Sequence, residues 1–156
     1  MNDEYFMKFA IKEAKKALKK GDWAVGCVVV LNNEIISKAH NRGYSTENRL
    51  AHAELRALDK AINKIGRDIS SVVVYTTYEP CPMCFGAILI NRIKKVVTGI
   101  DIDESGSLKL ANHLPKKWST DEFKIKHVEN VLYDECLKVF LQGKPTKKLI
   151  KKRFQL

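Results

Sequence analysis

The sequence has no internal repeat, no low-complexity tract and no proline- or glycine-rich linker; its eight glycines and four prolines are scattered. That excludes a repeat array and a collagen-like chain, and gives no point at which to divide the chain into two domains. No apolar run approaches the roughly 20 residues that span a bilayer; the longest extends from Trp23 to Leu31. The start, Met1-Asn2-Asp3-Glu4, is acidic and lacks the apolar stretch of a signal peptide. These absences predict a soluble, cytoplasmic protein that does not associate with membranes. Four cysteines in such a protein do not make a disulfide framework. Arginine is also scarce, with 6 against 22 lysines.

The 156 residues suit one compact domain with a proper apolar core. A composition 45% hydrophobic and 29% charged is that of an ordinary globular chain. The net charge of +10 favours nucleic acid, an anionic membrane or a phosphorylated substrate. Because lysine carries most of it, general solubility accounts for the charge equally well.

Apolar residues from Phe6 to Leu18 recur at helical spacing, and Gly21 stops that helix. Its other face carries Lys8, Lys12, Lys15, Lys16, Lys19 and Lys20. Ala24 to Leu31 and Glu34 to Ala39 flank Asn32-Asn33, which predicts a β-hairpin. A second helix is predicted over Ala51 to Ile65, ended by Gly66. A buried strand follows over Ser71 to Thr77, a short apolar helix over Cys81 to Asn91 and a strand over Lys95 to Asp101. Residues 102–120 read mostly as loop, Glu122 to Val128 as an edge strand and Val131 to Leu141 as a last helix. The order points to an α/β sandwich around a mixed sheet. The domain spans 1–142, and 143–156 is a basic tail containing Lys144, Lys147, Lys148, Lys151, Lys152 and Arg153.

Two segments carry chemistry: His52-Ala53-Glu54 at one helix start, and Pro80-Cys81-Pro82-Met83-Cys84 at another, directly after a strand. One histidine and two cysteines suit Zn(2+), and a helix N-terminus favours the thiolate form that a metal needs. Three protein ligands leave a tetrahedral corner for water, which points to catalysis. Glu54 could sit beside that corner and move protons. Two alternatives stay open on the residues alone. One is a structural zinc in a nucleic-acid-binding module, completed by His40, His113 or His127. The other is a thiol–disulfide oxidoreductase using Cys81 and Cys84.

His-x-Glu followed by Pro-Cys-x-x-Cys is the signature of zinc deaminases. With Val25-Gly26-Cys27-Val28-Val29-Val30, Asn41 and Tyr75-Thr76-Thr77-Tyr78-Glu79-Pro80, the chain resembles the cytidine/deoxycytidylate deaminase superfamily over about residues 4–142. The resemblance implies a three-layer α/β/α sandwich with a five-stranded mixed central sheet. It implies hydrolytic deamination of a nucleobase with release of ammonia. His52, Cys81 and Cys84 would bind Zn(2+), and Glu54 would carry protons to the ring nitrogen and the departing amine. Asn41 and the Ala53 N–H would contact the base. Gly26 either lets its strand approach the pocket or is simply a packing glycine. Trp23 either stacks on a base or packs at the strand entry, and Phe140 or Tyr133 could close the pocket. Cys27 and Cys136 read as core thiols.

Within the superfamily the chain is most similar to bacterial tRNA adenosine deaminases, which convert a wobble adenosine to inosine. The segment Glu4 to Lys20, the step from Asn41 to His52 and Ser105-Gly106-Ser107-Leu108 carry that likeness. Arg49-Leu50 and Ala24 depart from the branch's usual prolines, and Ile102 stands where it has an acid, so a free base, nucleoside or nucleotide (guanine, cytosine or deoxycytidylate type) remains the alternative substrate. A homodimer is expected, with Phe85 to Ile90 serving either the core or an interface.

Overall fold

The structure, a computed structural model, describes residues 2–101 and 107–143. The basic tail from Lys144 onward and Ile102, Asp103, Ser105 and Gly106 lie outside the described residues.

Helix α1 (Asp3–Lys19) starts where Asn2 accepts the Tyr5 N–H, and it buries Phe6, Met7, Ala10, Ala14 and Ala17. The hairpin of β1 (Gly26–Leu31) and β2 (Glu34–His40) turns through Asn32 and Asn33. Both asparagines have positive φ, at 51° and 65°, as a tight hairpin turn of that twist requires. Then come α2 (Ala53–Ile65), β3 (Val73–Thr76), α3 (Pro82–Ile90), β4 (Lys95–Thr98), β5 (Lys126–Val128) and α4 (Tyr133–Leu141).

The five strands form one sheet in the order β2-β1-β3-β4-β5. β1 is antiparallel to both β2 and β3, whereas β3, β4 and β5 run parallel. The sheet is mixed, as expected. Its two faces are covered by different helices, and the register shows which. A Cβ on Gly26 would meet the Ala10 carbonyl of α1 at 2.1 Å, so Gly26 faces α1. Ser37, opposite Val29, donates to the Ala57 carbonyl of α2 at 2.6 Å. Gly26 and Val29 are an odd number of residues apart on one strand and so face opposite ways. α1 and α2 therefore lie on opposite faces, with α4 beside α1 and α3 beside α2. The result is a three-layer α/β/α sandwich.

Several element ends differ from the sequence reading. His52 and Cys81 are extended N-caps, so their helices start at Ala53 and Pro82. Leu132 is left-handed, with φ 54°, and α4 starts after it rather than at Val131. Residues 108–113 and 116–118 form short 3-10 turns where loop was expected, and residues 121–123 form another. The last of these consumes the start of the expected Glu122 to Val128 strand, leaving three residues paired on β4. Cys27 and Cys136 are buried core thiols. No helix is long and apolar enough to cross a membrane, among the described residues.

Candidate active site

The topology brings two helix N-termini together. β2 and β3 both run antiparallel to β1, so they point the same way. α2 follows the end of β2 and α3 follows the end of β3, which places His52 and Cys81 at one edge of the sheet. The N-terminus of β1, with Trp23 leading in, reaches the same edge. This is the carboxyl-end edge at which open α/β sheets usually bind ligands.

The His52 Nδ1 atom lies 3.5 Å from both Cys81 Sγ and Cys84 Sγ. The three donor atoms all lie within 4.8 Å of one another and could hold one metal ion. Among the described residues no fourth His, Cys, Asp or Glu joins them. The three other histidines are elsewhere. His40 Nδ1 is 3.0 Å from Glu13 and His127 Nε2 is 3.0 Å from Asp101, while His113 ends an exposed turn. A set of one imidazole and two thiols at this separation is the chemistry of a three-ligand zinc site. It is an open set rather than a closed structural one.

Electrostatics agree with this assignment. A hydrogen bond from Cys84, with a second contact to His52, pulls the Cys81 thiol down to about 4. The same shared proton, together with burial, pushes Cys84 up. The Cys81 contact in turn raises His52. A dication held by His52, Cys81 and Cys84 would take over from the shared proton and favour both sulfurs as thiolates.

Glu54 stands beside the donors without joining them. It is only 3% exposed, with Oε2 3.6 Å from Cys84 Sγ and Oε1 3.2 Å from Thr76 Oγ1. Burial raises its carboxyl above the ordinary value, against the pull of its own backbone N–H and of His52. A buried carboxyl with a raised affinity for protons, next to a metal site, has the property of a proton shuttle.

The donors open into a cavity of about 300 Å³ walled by Trp23, Asn41, Glu54, Tyr78 and Phe140. Trp23, Asn41 and His52 also border an outer groove of about 550 Å³ lined by Tyr44, Glu47 and Arg49. Asn41 is buried, and its Oδ1 is committed to the Gly43 N–H at 2.8 Å, leaving Nδ2 as the donor end. Asp22 shapes the groove by accepting the Tyr44 and Ser45 N–H groups, each at 2.8 Å. Ala53 is the first residue of α2, where the N–H has no partner within the helix. Gly26 lines neither cavity; the close approach it permits is to α1.

Trp23 stacks on Phe140 at 5.9 Å, and Phe140 stacks on Tyr78 at 4.4 Å. Phe140, not Tyr133, is thus the residue of α4 that closes the cavity. Sequence spacing does not single out Thr76, Tyr44 or Tyr78 as site residues. A hydroxyl inside a largely buried strand is the one available signal for Thr76.

Residues 1–100 match the cytidine and deoxycytidylate deaminase zinc-binding region. The chain belongs to the cytidine and deoxycytidylate deaminase family. It is a hydrolytic deaminase with a zinc cofactor, for which His52, Cys81 and Cys84 are the positioned ligands. A family relative named tRNA-specific adenosine deaminase from Bacillus subtilis (strain 168) is 41% identical over 136 residues, covering 86% of this chain and 83% of that protein. A structure from work on A-to-I editing by tRNA:A34 deaminases has the same fold. Its TM-score is 0.74 at 24% identity, over 86% of this chain and 98% of that one. The structure of guanine deaminase from Bacillus subtilis matches with TM-score 0.60 and 32% identity, over 72% of this chain and 70% of that one.

Proposed function

We propose that this deaminase converts adenosine to inosine at the wobble position of tRNA. The observation that carries the reading is the larger outer groove that shares Trp23, Asn41 and His52 with the inner cavity. A free base would fill only the inner space. A nucleotide within a chain needs room on both sides of its ribose for its neighbours, and Trp23, Tyr44 and Arg49 line that room. Aromatic faces and an arginine suit splayed bases and their phosphates. The 41% identity to the Bacillus subtilis relative supports the same substrate.

Zinc held by His52, Cys81 and Cys84 supplies the Lewis acidity that makes water a nucleophile near neutral pH. Glu54 takes a proton from the attacking water and delivers it to the ring nitrogen beside the reacting carbon. It then passes the second proton to the amino group, which leaves as ammonia while the carbon keeps the oxygen. Water enters, ammonia departs, and Glu54 ends as it began. Asn41 Nδ2 donates to the base, the Ala53 N–H at the positive end of α2 steadies the oxygen of the product, and Trp23 stacks beside the base. Gly26 serves indirectly, by letting β1 sit close to α1.

The protein acts in the cytoplasm as a homodimer. The outer side of α3 supports the dimer: Pro82 and Gly86 are exposed there, and Ile90 is 64% exposed. Apolar groups of this size left open on one face mark a contact surface.

Ammonia release from a panel tests the function. The panel holds an anticodon stem–loop with a wobble adenosine, free adenosine, guanine, cytosine, cytidine and deoxycytidylate, with Glu54→Ala as control. Release from the stem–loop alone is expected. Turnover of guanine without turnover of the stem–loop would replace this reading with a free-base deaminase.

A further inference from the structure

Helix α1 carries a stripe of charge that the chemistry above does not use. Lys8, Lys12, Lys15 and Lys19 are all exposed and recur at steps of four, three and four, which aligns them on one side over about 16 Å. With Lys138 of α4 they line a groove of about 720 Å³ between α1 and α4. Glu135 is the one acid in that lining, and Ile11 and Val139 form part of its apolar floor.

Among the described residues no carboxylate forms an ion pair with Lys8, Lys12, Lys15 or Lys19. Lys16, one position off the stripe, is in contrast turned onto buried Glu13 at 2.6 Å. Lys8 with Lys12, and Lys15 with Lys19, are like charges four apart, an arrangement that weakens a helix. Lys12 is steadied over the Phe9 ring at 4.7 Å. The groove also adjoins the active site through one helix. Phe140 of α4 walls the catalytic cavity, while Lys138, Val139 and Gln142 of α4 wall the lysine groove.

We propose that the α1–α4 groove is a second RNA surface, seating backbone phosphates of the RNA body beyond the nucleotide being deaminated. The inference rests on the reading of RNA as substrate. Charge complementarity identifies the occupant as a polyanion: five lysines and one acid line the groove. Lysines act as point charges on flexible stems rather than as planar forks, so they give affinity and placement without reading sequence.

The test compares full-length tRNA with the isolated anticodon stem–loop. The full chain and its K8Q/K12Q/K15Q/K19Q variant are titrated with each RNA by fluorescence anisotropy, between about 50 and 200 mM salt. Glutamine keeps helix propensity, and melting temperature and zinc content confirm the fold. The variant is expected to lose about tenfold or more in affinity for full-length tRNA. Its log–log salt slope should become shallower by about three, because fewer phosphates are neutralised and fewer counterions released. Stem–loop binding and kcat on the stem–loop should not change. A charge-matched K38Q/K60Q/K64Q/K94Q variant should behave as wild type. Unchanged tRNA affinity and slope in the folded stripe variant would overturn the inference. So would an equal loss on both RNAs, or a loss confined to anionic phosphatidylserine vesicles. Anisotropy reads binding without turnover, so the two readings fail separately. A chain that binds neither RNA sinks the tRNA reading. A chain that deaminates the stem–loop but ignores the lysines sinks only this one.

Discussion

The Thr76 hydroxyl stands between the Glu54 carboxyl and the Tyr78 carbonyl, 3.2 Å from Oε1 and 3.1 Å from the carbonyl oxygen. A hydroxyl has one proton and two lone pairs. It can donate to an ionised Glu54, or donate to Tyr78 and accept from a protonated Glu54. Thr76 therefore fits both states of a group that must gain and lose a proton in each turnover.

Replacing Thr76 with valine keeps the volume and removes that adaptable partner. Thr76→Val is expected to lower kcat about tenfold, less than the roughly 10²–10⁴-fold that a proton-transfer group itself contributes, with KM and zinc content little changed. Thr76→Ser should restore most of the loss. Steady-state kinetics with metal analysis separates this positioning role from a structural one, which would move zinc content or the melting temperature instead.

Gly26→Ala tests the seam between β1 and α1. The new Cβ would lie 2.1 Å from the Ala10 carbonyl and 2.4 Å from the Ala14 amide, both of them backbone atoms that cannot swing aside. The variant should lose about 1–3 kcal/mol, the usual cost of overpacking. Urea denaturation would measure it, with the midpoint moving down and the slope unchanged.

Asp101 and His127 tie β5 and the entry to α4 onto β4. His127 Nε2 is 3.0 Å from Asp101 Oδ1, and Thr98 Oγ1 contacts both. Burial alone would lower His127, but the hydrogen bond and charge of Asp101 outweigh it and raise the imidazole above 6.5. Burial likewise pushes Asp101 up, and His127, Thr98 and the Asn130 N–H outweigh it to hold the carboxyl below 3.8. The stabilisation due to His127 is thus fully present below pH 6.5 and fades as pH rises through its folded value, whereas that of Asp101 fades only under acid conditions. The melting-temperature gap between wild type and His127→Gln should be wider near about pH 5.5 than near about pH 8.5. A gap that does not change with pH would refute the assignment.

Zinc removal should abolish turnover and lower the melting temperature, because the ion joins the N-termini of α2 and α3. The apolar core is built from residues other than the three ligands, with Val28, Val74, Ile88 and Val96 among its members. Chelated protein should therefore keep its helical circular dichroism at room temperature. Cys84→Ser should lose metal and the same increment of stability together.

Much of the fold is legible in local pattern. The helical spacing of α1 and the Asn-Asn hairpin turn follow from side-chain period and backbone preference, and both stand in the structure. Element ends are less legible, because a single residue decides them. The extended cap at His52 and the left-handed Leu132 each set a helix start that apolar spacing does not register. The short β5 reflects the turn at 121–123, whose polar alternation imitates a strand.

The sequence by itself determined the chemistry. His52, Glu54, Cys81 and Cys84 are ligand and proton-transfer types at helix starts, and that is a property of residue identity and near-neighbour spacing. Only the tertiary structure decided what surrounds them. Trp23, Asn41, Tyr78 and Phe140 come from four separate stretches of chain, and no periodicity within any one of them signals that they meet. They meet because β2 and β3 run the same way beside β1, and because α4 folds back across the sheet onto the face of α1. Contacts between distant segments depend on strand order and on which face each helix covers, and both are settled by burying all the apolar faces at once.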